Sequence, residues 1–221
     1  MVHRYFATGV GALITALMGA SWYYARRRVA ALSPWWSTAT FVWVCLQGAF
    51  GALTVTMKLY PAIVTLHLLG GMGLLVLLAV QSQARHAQPV PLSRALHLGA
   101  WAVMALSVLQ IALGGCVSTN YAVLACSDFP TCQGRWWPEM DFEHGFAILR
   151  ELGEGKGGGY LPFAALVAIH YTHRLMAYLV LVGLVLLAWR LHRRADATPR
   201  RFGRWLALIA VWQFASGLSN V

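Results

Sequence analysis

Three ionisable side chains lie inside an otherwise apolar run. Pro162 to Trp189 reads P-F-A-A-L-V-A-I-H-Y-T-H-R-L-M-A-Y-L-V-L-V-G-L-V-L-L-A-W and carries His170, His173 and Arg174. At ~1.5 Å per helical residue the run can cross a bilayer. An ionisable group at that depth is costly unless it faces a partner, a cofactor or water. The chemistry open to a neutral imidazole there is metal ligation; the bland alternative for His173 is a hydrogen bond to a neighbouring helix, and on this run alone the two stand level. A second copy of the pattern tips the balance. His3 and Arg4 open H-R-Y-F-A-T-G-V-G-A-L-I just as His173 and Arg174 open L-M-A-Y-L-V-L-V-G-L-V, which points to duplication.

The elements that must position these residues follow from composition. With 59% apolar and 11% charged residues and a mean hydropathy of +0.60, the 221-residue chain is too apolar for a soluble domain. The fold class is all-α, a polytopic membrane helix bundle. Apolar runs of ~20 residues predict six transmembrane helices, at about 5–24, 37–57, 61–81, 95–116, 161–190 and 203–221. The first lacks the short basic region and small-residue cleavage site of a signal peptide.

The net charge of +10 is a topology signal rather than a nucleic-acid footprint. Arg26 to Arg28, then Arg85 and Arg94, then Arg190, Arg193, Arg194, Arg200, Arg201 and Arg204 occupy alternate loops, which share one side, and the positive-inside rule makes that side cytoplasmic. Anionic lipid headgroups are the partner this charge suits. His86, His97 and His192 lie in or beside these inner loops and read as solvated or interfacial. The opposite face holds a long loop, 117–160, with six acids: Asp128, Glu139, Asp141, Glu143, Glu151 and Glu154. It also holds C-S-D-F-P-T-C, Cys126 to Cys132. On an oxidising periplasmic face this pair suits a disulfide, with free thiols or a redox-active pair as alternatives. Cys45 and Cys116 read as packing residues. Trp136, Trp137 and Pro138 suit a membrane interface, and Phe142, Phe146 and Leu149 recur at helical spacing, as a helix lying on the membrane requires. The glycine-rich run Gly153 to Gly159 has the composition of a linker and lacks the context of a phosphate loop.

A second motif recurs. Gln47 and Gly51, Gln110 and Gly114, and Gln213 and Gly217 each stand four apart on predicted helices, where a small residue admits a helix or a flat ligand and the amide can bond across the contact. His67 falls about two turns into the third helix, at outer-leaflet depth. Gln47 follows His3 by 44 residues and Gln213 follows His173 by 40, so the halves run in parallel. His67 follows Gln47 by 20, and the same spacing after Gln213 points to about position 233, beyond the last residue. The expected architecture is eight helices in two four-helix repeats, with this sequence as an internal window lacking the first and last. The expected divisions are 1–81, a linker at 82–94, and 95–221. Two histidines on separate helices of a four-helix bundle form the arrangement that ligates haem iron axially. His3 with His67 makes one such pair, and His173 awaits a partner. Arg4 and Arg174 could reach haem propionates or snorkel to headgroups. His170 reads as a packing or supporting residue.

These residues resemble the haem A synthase family over essentially the whole chain: V-H-R-Y, T-L-H-L-L-G-G, T-H-R-L-M-A, Q-F-A-S-G-L-S-N-V and, most specifically, L-G-G-C-V-S-T-N-Y-A-V-L-A-C-S-D-F-P-T-C-Q-G-R-W-W-P. The resemblance implies an oxidoreductase of eight helices whose C-terminal half holds haem b. Its N-terminal half would bind haem O as substrate, oxidising the C8 methyl in successive steps to a formyl group for terminal oxidase assembly. It implies His3 and His67 as substrate-side ligands, His173 as a ligand of the resident haem, Arg4 and Arg174 beside them, and a disulfide between Cys126 and Cys132. The family's catalytic acid would fall just before Met1, so no catalytic residue is assigned within the chain, which is expected to be a copy truncated at both ends and inactive alone. The setting implied is a bacterial inner membrane with loop 117–160 periplasmic. Partners would be lipids, haem O synthase and an electron donor, with self-association left open. The runner-up functions are a b-type cytochrome that carries electrons and a non-enzymatic haem-binding subunit.

Overall fold

The computed structural model describes residues 2–28, 33–84, 90–155 and 158–219. Arg85, His86, residues 156–157 of the glycine-rich run and the last two positions lie outside them. Seven α-helices follow in order: α1 (Val2–Arg26), α2 (Pro34–Thr56), α3 (Pro61–Gln83), α4 (Arg94–Thr119), α5 (Phe142–Gly145), α6 (Phe163–His192) and α7 (Ala197–Leu218), with a single 3-10 turn at Ala122–Leu124. Among the described residues strand pairing is limited to two isolated bridges, Cys132 with Arg135 and Glu154 with Tyr160. The all-α expectation holds.

Proline punctuates the starts. α2 and α3 begin on Pro34 and Pro61, and α6 follows Pro162, positions where the missing N–H is one a helix would leave unbonded anyway. Ser93 caps α4 by accepting from the Leu96 N–H at 3.4 Å, a standard device for the orphan donors of a first turn. Five helices, α1 to α4 and α6, are long and apolar enough to span a membrane. The expected sixth span forms a helix but falls outside this group, because Arg200, Arg201 and Arg204 occupy its N-terminal part and leave too short an apolar segment after them.

The chain divides into two compact units. One comprises Met1–Lys58 and Leu66–Gln88, the other Leu59–Thr65 and Pro89–Val221. In the first, polar side chains fasten helices where the surroundings are apolar. Trp22 on α1 donates to the Thr38 hydroxyl of α2 at 3.0 Å. Trp43 on α2 donates to the Gly70 carbonyl of α3 at 2.9 Å, and buried Gln81 on α3 bonds the Thr40 hydroxyl and donates to the Trp36 carbonyl at 3.2 Å. In the second unit α6 is the central element, packed by α4, α5 and α7. Gly203 lets α7 approach closely: a methyl there would stand 2.7 Å from the Ala188 carbonyl oxygen of α6.

The outer loop corrects one expectation. The helix expected through Phe142, Phe146 and Leu149 stops at Gly145, and Leu149 lies beyond it. Gly145 abuts α6, where a methyl would stand 2.9 Å from the Ala165 carbonyl. The segment therefore packs on a helix as a single capped turn, with Phe142 and Phe146 stacked at 6.1 Å.

Candidate functional site

In the first unit α1 and α3 bring His3 and His67 together. Their ring centroids are 6.4 Å apart, with the ring planes at 86°. Two imidazoles holding one metal from opposite sides, at ~2 Å per metal–nitrogen bond, have centroids roughly 6 Å apart. The pair therefore stands at a spacing that one interposed iron fits. Nδ1 of His67 is buried without a hydrogen-bond partner among the described residues, as befits a ring kept for something other than packing. The ring is backed by α2, where a methyl on Gly51 would lie 3.2 Å from its Cε1. One turn earlier, Gln47 lies against Gly70, leaving no room there for a side chain. Arg4 is exposed.

In the second unit His173 on α6 faces α4. Gln110 donates from Nε2 to Nε2 of His173 at 3.3 Å, and a methyl on Gly114 would lie 3.2 Å from the His173 Cε1. Nδ1 of His173 and Oε1 of Gln110 are buried with no partner among the described residues.

The remaining polar residues of α6 turn to the outer loop. His170, 7% exposed, donates from Nδ1 to the Ala122 carbonyl at 2.9 Å, so it acts as a fastener, in line with the supporting role read from its spacing. Tyr171 donates to the Trp136 carbonyl and meets the Trp137 ring edge-on at 6.3 Å. Arg174, also 7% exposed, donates from Nη1 to the carbonyls of Asp128 at 2.8 Å and Thr131 at 2.7 Å, and its guanidinium lies 5.7 Å from the Phe129 ring centroid. One of its nitrogens is thus committed to the loop, whereas Nη2 is buried and unpartnered among the described residues. Flanking the anchored carbonyls, Cys126 and Cys132 form a disulfide buried against Ala125, Val167 and Tyr171. Of the alternatives left open for these thiols, the disulfide is the one the structure adopts.

The carboxylate of Asp128 closes the same loop. It accepts from the Thr131 hydroxyl, the Gln133 N–H at 2.7 Å and the Gly134 N–H at 3.1 Å. The Thr131 bond first, with the two amides and the Arg174 charge, holds its carboxyl below the usual carboxylate range. A carboxyl depressed in the fold contributes stability above its unfolded value, near ~3.9, and loses it as pH falls through the folded one. Amide exchange at Gln133 and Gly134 is therefore expected to stay slow down to about pH 4 and to accelerate below it. In Asp128→Asn the acceleration should already be present at neutral pH and the acid step should vanish; a wild-type profile in that variant would refute the assignment.

Sequence reasoning missed Arg150. It is buried, donates from Nη2 to Asn120 Oδ1 at 2.6 Å and from Nη1 to the Glu154 carbonyl at 3.2 Å, and burial pushes its pKa down. It ties the loop to the end of α4. The available signal was a lone arginine in an otherwise acidic stretch. Among the described residues no three His, Cys, Asp or Glu side chains cluster closely enough to cage a metal. A pair of imidazoles on opposite sides could supply two axial positions to an iron whose other ligands come from a flat macrocycle.

Three comparisons bear on this arrangement. A family model described as cytochrome oxidase assembly protein, COX15-CtaA, matches residues 1–221. Among curated proteins, "Heme A synthase" of Shewanella oneidensis is 33% identical over 228 residues, covering 100% of this chain and 66% of that protein. "Heme A synthase" of Alkalihalophilus pseudofirmus is 29% identical over 232 residues, covering 99% and 68%, and that of Symbiobacterium thermophilum is 28% identical over 190 residues, covering 80% and 55%. The chain thus spans about two thirds or less of the length of these relatives. No solved structure gives a significant match.

Proposed function

Because this chain belongs to the COX15-CtaA family of cytochrome oxidase assembly proteins, we propose that it serves haem A synthesis, taking haem O as substrate and oxidising its C8 methyl to a formyl group. The observation that carries the reading is the His3–His67 spacing of 6.4 Å on two membrane-spanning helices. In this reading His3 and His67 grip the substrate iron from opposite faces and fix which edge of the macrocycle is presented. The apolar helices around them exclude water from its hydrocarbon substituents.

The second unit would hold a resident haem b through His173, and when bound that haem supplies one-electron transfer. The fit rests on a half-buried imidazole whose Nδ1 has no partner among the described residues and whose Nε2 meets the Gln110 amide at 3.3 Å, a contact that an iron at that nitrogen would replace. Nη2 of Arg174, likewise buried and unpartnered among those residues, can donate to a propionate, while Arg4 occupies the equivalent place one residue after His3. The five apolar helices make the chain a multi-pass membrane protein. We place it in a bacterial inner membrane with loop 117–160 periplasmic, supported by the arginine-rich loops on one side and the disulfide on the other. Haem O synthase and an electron-transfer protein are the partners this chemistry calls for.

The test is to express the reading frame that carries this chain in cells making haem O but no haem A, then to extract the porphyrins and weigh them. Haem A is the expected product. Retention of haem O or haem b with no haem A would replace this reading by that of an electron carrier, and absence of any bound haem would leave a non-enzymatic membrane subunit.

A further inference from the structure

Among the described residues, seven of the fifteen helical glycines face open space. A methyl on Gly9, Gly11, Gly19, Gly48, Gly71, Gly99 or Gly217 would meet nothing within 4 Å. Glycine in a helix interior is less stable than alanine, so it is the packed ones that invite a physical reason. Two of these back a histidine. Gly51 on α2 would place a methyl 3.2 Å from Cε1 of His67, and Gly114 on α4 would place one 3.2 Å from Cε1 of His173. They belong to different compact units, and each stands four residues after a glutamine. The same contact, at the same ring atom and distance, has been built twice.

An added methyl at that distance is tighter than ordinary van der Waals contact, so the imidazole would have to shift by a few tenths of an ångström. A ring free to retreat into an apolar groove would tolerate this. A ring that must keep its nitrogen aimed at one point would not, because outer-sphere supports of ligating histidines tune both orientation and affinity.

We propose that Gly51 and Gly114 are positioning residues, each a flat seat against which one haem-ligating imidazole stands at the depth its iron requires. The inference rests on the haem reading above and adds which backbone atoms set the ligand geometry. Neither glycine touches the macrocycle in this account; both act through their histidines.

The experiment uses the full 221-residue chain with histidine labelled at 13Cε1, alongside Gly51→Ala, Gly114→Ala and the controls Gly48→Ala and Gly99→Ala on the same two helices. Without haem, G51A should move the Cε1–H resonance of His67 and leave that of His173 in place, G114A should do the reverse, and the controls should move neither. The unmoved histidine reports that each variant is folded. Titration with ferric haem should then show weakening by roughly 10- to 100-fold and an altered absorbance spectrum for the haem of the affected unit only. If wild type takes up haem and G51A and G114A match it in affinity and spectrum, the seats are refuted while the haem reading stands. Unmoved resonances in both variants refute the seats as well. Failure of wild type to take up any haem overturns both the haem reading and this inference.

Discussion

Replacing His67 with alanine is expected to weaken haem O retention by at least ~100-fold, beyond the 10–100-fold that loss of an outer-sphere partner typically brings, while leaving the helical fold in place. The two halves of that statement rest on different observations. Binding should fail because His3, at 6.4 Å, would be left to hold the iron from one face. The fold should survive because the ring's buried Nδ1 has no partner among the described residues, and removing an unsatisfied buried polar atom relieves a penalty of about 1–3 kcal/mol that offsets part of the packing lost. Equilibrium titration with haem O, read by absorbance, together with a thermal melt followed by circular dichroism, separates the two. Retention within a few-fold of wild type would show that the pair does not grip the substrate. A collapsed melt would show that His67 is structural.

Arg174→Ala should release the outer loop. Hydrogen bonds from a charged donor contribute about 1.5–3 kcal/mol each, and the side chain makes two, to the carbonyls of Asp128 and Thr131. Loss of about 3 kcal/mol of local stability is therefore expected, with exchange and proteolysis rising across residues 126–134. Arg174→Lys should restore little, because the compact ammonium is more strongly hydrated and lacks the flat guanidinium that lies 5.7 Å from the Phe129 ring centroid. If the loop keeps its protection in Arg174→Ala, the arginine serves a carboxylate alone and the two carbonyls are held by other means.

The seven helices were foreseen almost wherever apolar length is the deciding quantity, because a bilayer span is written locally in the chain. The turn at Phe142–Gly145 departed from expectation for a reason that is not local, a close backbone approach to α6, whereas α7 forms its helix and stands apart from the apolar spans through arginines already legible in the sequence. The histidines were visible as chemistry because burying an ionisable group is conspicuous. Their neighbours were not. Repeat arithmetic placed Gln47 near His3 in a list of spacings, yet the glycine four residues on backs His67, since a period fixes succession along a chain and says nothing about which helix faces which. The true acceptors of Arg174 were hidden for a different cause: backbone carbonyls carry no signature in a sequence, and those of Asp128 and Thr131 become an anion-like patch only once the loop has folded. Arg150 was illegible in the same way.

His170, Tyr171 and Arg174 fasten the outer loop, and His173 rises from the same two turns of α6 toward α4. Rim and interior are consequently joined through one helix. A thiol reductant opening Cys126–Cys132 at the aqueous edge would therefore loosen a loop packed against Val167 and Tyr171, on the same helix that carries His173.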